Sequence, residues 1–504
     1  MSMTTDRDGG GGSTIAKNVG SLLASQAAVW AFGAVSVIIV PRHLGAERVG
    51  QLNLASAIWG IGGVVVGFGS GQLLTREMAR DSELGSRLLG RILPIQLVLA
   101  ALVSVVVAGY ALLVGTDTTG AALLAVVGVM VLSTEIGASL VSALYGRERM
   151  AGPSAMAVVA RALGSLLTIG AVVADGGVVL VAAAGAVAAI VHLSSLGFLT
   201  NRESSVHLTF PRDGHRGVVA AAFPFLLQAG ALVVYHNIDV ITIAALVDDA
   251  AVGWYGAADR LFGTMLFIPV AVSTALYPAM SRRWVDDPDG VVELVRSAVV
   301  LLVMVVIPIS AGVMVLGDRF AVLLFGDGFA KSGDVLQVYG VVLLPVAMTI
   351  VLGGYSMVIG RQRLWTTVLL VSAAVTVPLD LVLVPWARDT LDNAAVAGAI
   401  GYVFTEIGAV VVGATILIPH LFDRSMVVRL LKAAGAAAGM GVVTYALRDQ
   451  LLVIPVLASV VTYPVLILLL RAVDFDELAS LGGPARHLAR FAPRRADDQT
   501  DGNS

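Results

Sequence analysis

The stretch VVAAAFPFLLQAGALVVYHNIDVITIAALV, residues 218–247, is an almost unbroken run of apolar residues. A bilayer core about 30 Å thick is crossed by a helix of roughly 20 apolar residues, so this run is long enough to span a membrane. It also carries His236, Asn237 and Asp239. Because polar groups are costly in lipid, we expect these side chains to face another polar group or a wet cavity inside the protein.

The rest of the chain has the composition of a membrane protein. Hydrophobic residues make up 57% and charged residues 13% of the 504 positions, and the mean hydropathy is +0.89, values outside those of soluble domains. Cysteine is absent, which excludes disulfides, thiolate metal sites and a cysteine nucleophile. The apolar runs predict an all-α, polytopic membrane protein with about fourteen transmembrane helices, at residues 19–40, 49–71, 89–114, 120–144, 154–174, 178–200, 218–247, 252–280, 291–316, 335–359, 364–387, 394–418, 430–447 and 451–470.

The positions of Lys and Arg predict the orientation of these helices in the plasma membrane. Cytoplasmic loops keep an excess of positive charge. If both termini are cytoplasmic, two of the 32 Lys and Arg residues, Arg161 and Arg260, lie within spans. Only six then lie outside the cell: Arg42, Arg48, Arg319, Lys331, Arg388 and Arg448. An even number of spans fits this asymmetry, whereas an odd number would break it.

A weak parallel repeat divides the chain. AERVGQLNLASA (46–57) and DAAVGWYGAADR (249–260) share a Val-Gly pair at an offset of 203 residues, and Gln26 and Gln228 are each followed by Ala at an offset of 202. Such repeats occur in transporters, where the substrate path runs between the two halves. We therefore expect a polar N-terminal tail (1–18), a first six-helix lobe (19–200), a cytoplasmic linker (201–217), a second six-helix lobe (218–418), two extra transmembrane helices (419–470) and a cytoplasmic C-terminal tail (471–504).

Three motifs that resemble ligand-binding loops have simpler explanations. In GGVVVGFGSG (62–71), Gly63, Gly67 and Gly71 lie four apart on a membrane helix, a pattern typical of close helix packing. FGDGFAKSGD (325–334) lacks the Gly-Lys pair of a phosphate loop, so ATP is not expected to power this protein. VDDPDG (285–290) is read as a surface turn. The sequence thus predicts no catalytic residue, no metal site, no cofactor and no nucleic-acid partner.

The ionisable residues within the spans are the candidates for function. Asp239 and Arg260 lie at similar depth on either side of the Asp248 turn, roughly 14 to 17 Å from it, and we expect them to meet across the hairpin. Glu135 and Arg161 likewise flank one inner turn, and two further acids, Asp380 and Glu406, have no obvious cationic neighbour. For each acid and base, simple pinning of two helices is the competing interpretation.

Several segments resemble a known family of membrane proteins. They are RHLGAERVGQLNLASAI (42–58), LLTREMAR (73–80), the run from FPFLLQAG to YPAMSR (223–282) and VLLFGDGFAKSGDVLQVYG (322–340). These segments are similar to polysaccharide flippases of the Wzx type. Those flippases belong to the multidrug/oligosaccharidyl-lipid/polysaccharide (MOP) superfamily, with the lipid II flippase MurJ and the MATE drug exporters. The resemblance extends over about residues 15 to 470.

This resemblance implies a transporter with a central cavity and alternating access. It would move an isoprenoid-pyrophosphate-linked oligosaccharide from the inner to the outer leaflet for surface glycan assembly. Glycan polymerases or glycosyltransferases of the same pathway would be its partners, besides membrane lipids. Arg260, within YGAADRL (255–261), is the implied phosphate-binding residue, with Arg161 and Lys17 as secondary candidates. Hydroxyl groups of the cargo would meet the polar residues Gln26, Asn53, Gln228, Asn237 and Tyr255.

Two alternatives to the flippase remain from the sequence. A cation-coupled exporter of small amphipathic compounds, as in the MATE branch, would use buried acids such as Asp239, Asp380 and Glu406 to bind H⁺ or Na⁺. Glu135 would then serve as a further coupling acid or as part of a buried ion pair. A membrane enzyme that polymerises glycans is disfavoured, because the predicted outer loops are too short to build its site.

Overall fold

The computed structural model describes the backbone of residues 10–203, 215–419 and 421–470, and most side chains from Ala28 onward. The predicted linker (201–217) and C-terminal tail (471–504) lie largely or wholly outside these residues, as do the side chains of Lys17 and Gln26. Within the described ranges the chain is helical and forms no strand, which confirms the predicted all-α class.

Fifteen α-helices follow one another along the described chain. They are α1 (Gly10–Gly67), α2 (Ser70–Arg80), α3 (Ser82–Val114), α4 (Thr118–Gly146), α5 (Ala151–Val173), α6 (Val178–Glu203), α7 (His215–Leu246), α8 (Asp249–Met265), α9 (Phe267–Arg283), α10 (Pro288–Phe325), α11 (Ala330–Val358), α12 (Gln362–Leu391), α13 (Ala395–Val412), α14 (Arg424–Ala446) and α15 (Val453–Leu469). A short 3₁₀ turn (Asp327–Phe329) precedes α11, and a π-helical turn (Gly413–Leu417) extends α13.

Breaks in the first helices explain how they map onto the predicted spans. Gly45 has φ 75° and ψ 172°, a conformation that interrupts α1 and that glycine adopts without steric cost. Twelve helical segments of the described chain are long and apolar enough to cross a membrane, the first of them Ala31–Arg80, and Val453–Leu469 is a shorter apolar helix. Dividing the first segment at Gly45 and including the short helix accounts for the predicted fourteen passages.

The helices pack as two lobes with an added helical pair. α4, α5 and α6 pack on one another and on α1 to form the first lobe, with α2 and α3 against α4. The second lobe is built around α11, which packs on α10 and α13, while α12 packs on α7 and α13. α14 and α15 form a hairpin held against α10. The lobes meet where α1 and α2 pack on α7 and α8, so the space between them lies along α1.

Polar turns end the helices outside the apolar segments. Asp81 accepts hydrogen bonds from the backbone amides of Glu83 and Leu84, and these bonds hold the pKa of its carboxyl below the usual range. Backbone bonds from Gly290 and Met426 act in the same way on the pKa values of Asp287 and Asp423. Each aspartate caps the start of a helix, which fixes the turns that join successive membrane passages.

Candidate transport cavity

The two lobes touch backbone to backbone at the end of the bundle that carries Asp248. Gly50 of α1 lies so close to the carbonyl of Asp249 that a Cβ at this position would overlap it, and Gly253 of α8 lies equally tightly against the carbonyl of Ala46. Small residues allow this close approach of two membrane helices. We call the contact of Gly50 and Gly253 the Asp248-end seal.

Arg42 reinforces the Asp248-end seal. Its Nε donates a hydrogen bond of 2.7 Å to the carbonyl of Leu324 at the end of α10, and its Nη2 donates to the carbonyl of Leu323. The guanidinium thereby satisfies carbonyls that have no partner within a helix end. The first lobe is therefore attached to the second at two neighbouring places on this side.

A second contact closes the opposite end of the seam, near Arg76. Phe68 and Gly69 both have positive φ values, 36° and 72°, where α1 gives way to α2. A Cβ on Gly69 would overlap the carbonyl of Ala222 and the amide of Leu226 in α7. The Arg76 guanidinium lies 5.9 Å from the ring centroid of Phe225. We call the contact of Gly69 and Ala222 the Arg76-end seal.

Charged side chains lie between the two seals. Arg161 of α5 is exposed and its guanidinium lies against Gly33 of α1. Arg260 of α8 donates a hydrogen bond of 2.6 Å from Nη2 to Oδ1 of Asn53 across the seam. Arg161 and Arg260 are close enough to interact electrostatically. One cation from each lobe therefore reaches the space between the lobes.

His236, whose side chain the sequence predicts to face a polar group or a wet cavity, also lines this space, and so does Asp259, which was not among the predicted site residues. Both are exposed although they lie deep within the membrane-spanning helices. Asp259 interacts electrostatically with His236 and Arg260 and accepts a long hydrogen bond of 3.4 Å from the Tyr339 hydroxyl. The signal that could have identified Asp259 is its position within a predicted span, next to Arg260. The exposure of both residues at this depth indicates a wet cavity.

The predicted pairing of Asp239 with Arg260 is wrong. Asp239 Oδ2 accepts a hydrogen bond of 2.6 Å from Tyr255, within the second lobe, whereas Arg260 bonds to Asn53 of the first lobe. The two residues do lie at similar distances from the Asp248 turn. Arg260 lies on the face of α8 that meets α1, together with Gly253 and Gly256. Tyr255, to which Asp239 is bonded, lies about 100° or more around α8 from that face, so the two charged residues meet different neighbours.

Glu135 and Arg161 do not form an ion pair in the described structure either. The Glu135 carboxylate lies against Gly63 and Gly67 of α1, whereas Arg161 lies against Gly33, on the other side of the Gly45 break. Gly63, Gly67 and Gly71, the glycines predicted for close packing, all lie against side chains of α4, and Glu135 makes two of these contacts. Glu135 is partly buried and remains a separate acidic site in the first lobe.

Asp239 and Asp380 form a pair of buried carboxyl groups in the second lobe. They lie close enough to interact electrostatically, and Asp380 is 0% exposed. Neither oxygen of Asp380, nor Oδ1 of Asp239, receives a hydrogen bond from a described donor. Gly398 of α13 packs against Cβ of Asp239, and Gly401, one turn further along α13, packs against Oδ1 of Asp380. Two adjacent acids cannot both stay charged without a proton or a cation between them.

Glu406 is a different kind of buried acid. Its Oε1 accepts a hydrogen bond of 3.0 Å from Tyr235, and its Oε2 accepts one of 2.7 Å from Thr349. Both carboxylate oxygens are therefore satisfied by hydroxyl donors. No described group of three or more His, Asp or Glu residues is placed to hold a metal ion. Any cation bound by Asp239 and Asp380 would thus have two carboxylates as its acidic ligands.

The remaining predicted residues fall in different places. Asn237 lies on the seam near Gly60 of α1, and its amide donates a hydrogen bond of 2.8 Å to the Val233 carbonyl. Gln228 is partly exposed on α7. Tyr255 is 3% exposed and bonds to Asp239, so it belongs to the carboxyl pair rather than to the cavity surface. Asn53 and Arg260 together bridge the lobes.

Two family models match large parts of this sequence. The model of polysaccharide biosynthesis proteins matches residues 15–284, and the model of the lipid II flippase MurJ matches residues 153–466. Each match covers more than half of the chain. No curated protein matches the sequence at a significant level.

Solved structures share the fold at low sequence identity. A lipid II flippase MurJ in an inward closed conformation has a TM-score of 0.72 at 12% identity, with 89% of this chain and 98% of that chain covered. An inward-facing multidrug resistance MATE family transporter has a TM-score of 0.57 at 16% identity, with coverages of 76% and 93%. A MOP superfamily transporter from Pyrococcus furiosus has a TM-score of 0.55 at 15% identity, with coverages of 81% and 96%. These similarities show a common fold.

Proposed function

This chain belongs to the MOP superfamily of transporters, as a member of the polysaccharide biosynthesis protein family that is also matched by the MurJ flippase model, and we propose that it flips a lipid-linked oligosaccharide. The cargo is an isoprenoid-(pyro)phosphate-linked oligosaccharide that moves from the inner to the outer leaflet. The protein is a multi-pass membrane protein, and its cargo is used for cell-surface polysaccharide or glycan assembly. It acts as a transporter and not as an enzyme.

The observation that carries this proposal is the pair of arginines in the cavity. Arg161 comes from the first lobe and lies against Gly33, and Arg260 comes from the second lobe and bonds to Asn53 across the seam. Like charges repel, and a phosphate or pyrophosphate between the two guanidinium groups would remove that repulsion. The planar guanidinium can also donate two parallel hydrogen bonds to phosphate oxygens. The cargo would thereby bind both lobes at once.

The polar residues around the cavity would contact the glycan. Asn53 and Asn237 face the seam, Gln228 is a candidate on α7, and Lys17 and Gln26 are candidates on the first helix. Amide side chains suit sugar hydroxyls because each one both donates and accepts hydrogen bonds. Asn53 is engaged by Arg260 in this structure, so cargo phosphate would compete with Asn53 for the guanidinium.

The two seals support an alternating-access cycle. With both termini in the cytoplasm, the Asp248-end seal closes the cavity toward the outside and the Arg76-end seal closes it toward the cytoplasm. Opening one seal while the other stays closed would expose the arginines to one side at a time. The lobes at residues 19–200 and 218–418 would move against each other. The linker (201–217) would join them in the cytoplasm.

Cation coupling is the second part of the proposal. Asp239 and Asp380 have unpartnered buried oxygens, so H⁺ or Na⁺ between them would relieve the repulsion of two carboxylates. Glu406 and Glu135 are further candidates for coupling. Binding at this pair would affect α7, which contributes to both the carboxyl pair and the seam, and would therefore bias the lobe arrangement.

A deletion strain tests the proposed function. Loss of the gene should abolish surface glycan and cause the lipid-linked precursor to accumulate on the cytoplasmic face, while glycosyltransferases of the pathway still act. Normal surface glycan, together with raised sensitivity to a cationic dye, would instead support the MATE-like exporter of amphipathic compounds. The same precursor, labelled and added to liposomes with purified protein, should cross the bilayer without ATP.

A further inference from the structure

A cavity of about 460 Å³ lies in the first lobe, between α1, α3 and α4. Trp59 of α1 forms part of its wall, and α3 and α4 form its sides. Much of the lining is small: Ala108, Ala111, Ala121, Ala125 and Gly128. Small residues leave room between α3 and α4, while the Trp59 ring occupies the position that a Cβ on Gly128 would fill. We call this cavity the Trp59 groove.

The Trp59 groove offers no free polar group to a ligand. The indole Nε1 of Trp59 donates a hydrogen bond of 2.7 Å to the Leu124 carbonyl, and the Ser104 hydroxyl donates one of 2.7 Å to the Ala100 carbonyl. The rest of the lining is aliphatic. Ordered water needs at least two polar partners, so the groove is suited to hydrocarbon.

The Trp59 groove is continuous with the lipid-facing surface. Leu112 is 83% and Val129 44% exposed, and both line the groove. The lining on α3 runs from Leu112, near the Gly115 turn, to Ser104, about 12 Å along the helix. One leaflet of a bilayer core measures about 15 Å. The groove therefore extends through most of the leaflet at the Asp248 end and can hold a single acyl chain.

We propose that the Trp59 groove holds one acyl chain of a membrane phospholipid from that leaflet. The isoprenoid tail of the cargo is disfavoured, because the groove and the seam lie on different faces of α1: Gly60, about 100° around the helix from Trp59, faces Asn237 of α7. A tail attached to a headgroup between Arg161 and Arg260 would have to pass around α1 to enter the groove. The bound chain supports Trp59 and α1 from a face other than that of the seam.

Quenching by brominated lipid tests this site. Trp59 is only 4% exposed, so it should escape a quencher that merely surrounds the protein. The emission of Trp59 is the difference in emission between the wild type and Trp59→Phe. In bilayers of phosphatidylcholine brominated in mid-chain, most of the difference seen in unbrominated lipid should disappear. Ala125→Phe, which fills the groove, should restore most of that emission. Ala122→Phe, an exposed position on the same helix outside the groove, should not.

Ala108→Phe fills the groove from α3 and provides a second test if Ala125→Phe does not fold. Trp365, which is 7% exposed in the second lobe, is the control for a buried indole and should stay unquenched. The proposal would be overturned if Trp59 emission were not quenched. It would also be overturned if Trp59 were quenched as strongly in folded Ala125→Phe or Ala108→Phe as in the wild type. Quenching by a brominated polyprenyl phosphate but not by the brominated phospholipid would identify the cargo tail and also overturn it.

Discussion

Gly50 and Gly253 occupy equivalent positions in the two halves of the sequence, and each lies against the other half of the repeat. Gly50 contacts the Asp249 carbonyl, and Gly253 contacts the Ala46 carbonyl. Asp249 lies 203 residues after Ala46, the same offset that separates the two glycines. The contact is therefore reciprocal, as at the interface of a two-fold dimer. Equivalent segments of the two halves contact each other at the Asp248-end seal.

Gly50→Leu should keep the Asp248-end seal open, because the side chain would overlap the Asp249 backbone. The natural chain has no cysteine, so a single His236→Cys reports access to the cavity. We expect a membrane-impermeant thiol reagent added outside the cell to label this cysteine faster in the Gly50→Leu background. Gly170→Leu, where a Cβ meets no atom within 4 Å, is the control. Unchanged labelling in Gly50→Leu would contradict the seal.

Gly69→Leu should open the Arg76-end seal and so increase access to the cavity from the cytoplasmic face. The added side chain would overlap the Ala222 carbonyl in α7, and the positive φ of Gly69 adds strain for any other residue. His236→Cys should then become more reactive toward a reagent applied to the cytoplasmic face of inside-out vesicles. Faster labelling from the outer face would show that the Arg76-end seal has been assigned to the wrong side.

Arg260→Ala and Arg260→Gln should leave the protein in the membrane but stop surface glycan from appearing. Arg260→Lys should restore transport only in part, since lysine keeps the charge but loses the planar fork that binds two phosphate oxygens. Surface glycan and cytoplasmic-face precursor are measured together with the amount of protein in the membrane. Full export by Arg260→Gln would exclude a role for this residue in phosphate binding.

Double-mutant cycles should couple Arg260 more strongly to Asn53 than to Asp239. Arg260 and Asn53 share a hydrogen bond, so their effects on unfolding free energy should deviate from additivity by about 0.5–3 kcal/mol. Asp239→Asn with Arg260→Gln should show a smaller coupling, because no hydrogen bond joins these two residues and they interact only through Asp259. Strong coupling in the second cycle would restore the pairing that the structure contradicts.

The carboxyl pair should bind a cation in detergent solution. If Na⁺ binds only the folded protein, a concentration about ten times Kd should stabilise it by about 1.4 kcal/mol, measured as a shift in Tm. Asp380→Asn should remove this shift. Glu406→Gln should retain it, because the Glu406 carboxylate already accepts two hydroxyl hydrogen bonds. If neither Na⁺ nor a change of pH shifts the Tm of the wild type, the coupling role of the pair is refuted.

The transmembrane passages were predictable because they depend on local composition. The repeat was predictable because matching residues recur at a nearly constant offset in the sequence. The predicted spans include the division near Gly45, where the polar segment Arg42 to Arg48 interrupts the apolar run. The cationic candidates Arg161 and Arg260 could likewise be found, since any charge within a span is unusual. Asp259 was visible in the same way, yet its place on the cavity surface depends on how α8 is rotated.

The sequence by itself determined how deep each charged residue lies, because each residue adds about 1.5 Å along a helix counted from the nearest turn. Only the tertiary structure decided which residues meet. Each step along a helix turns the side chain by about 100°, so residues at equal depth can face different neighbours, and packing between helices fixes that rotation. Arg260 therefore bonds to Asn53 and Asp239 to Tyr255, although Asp239 and Arg260 were matched in depth.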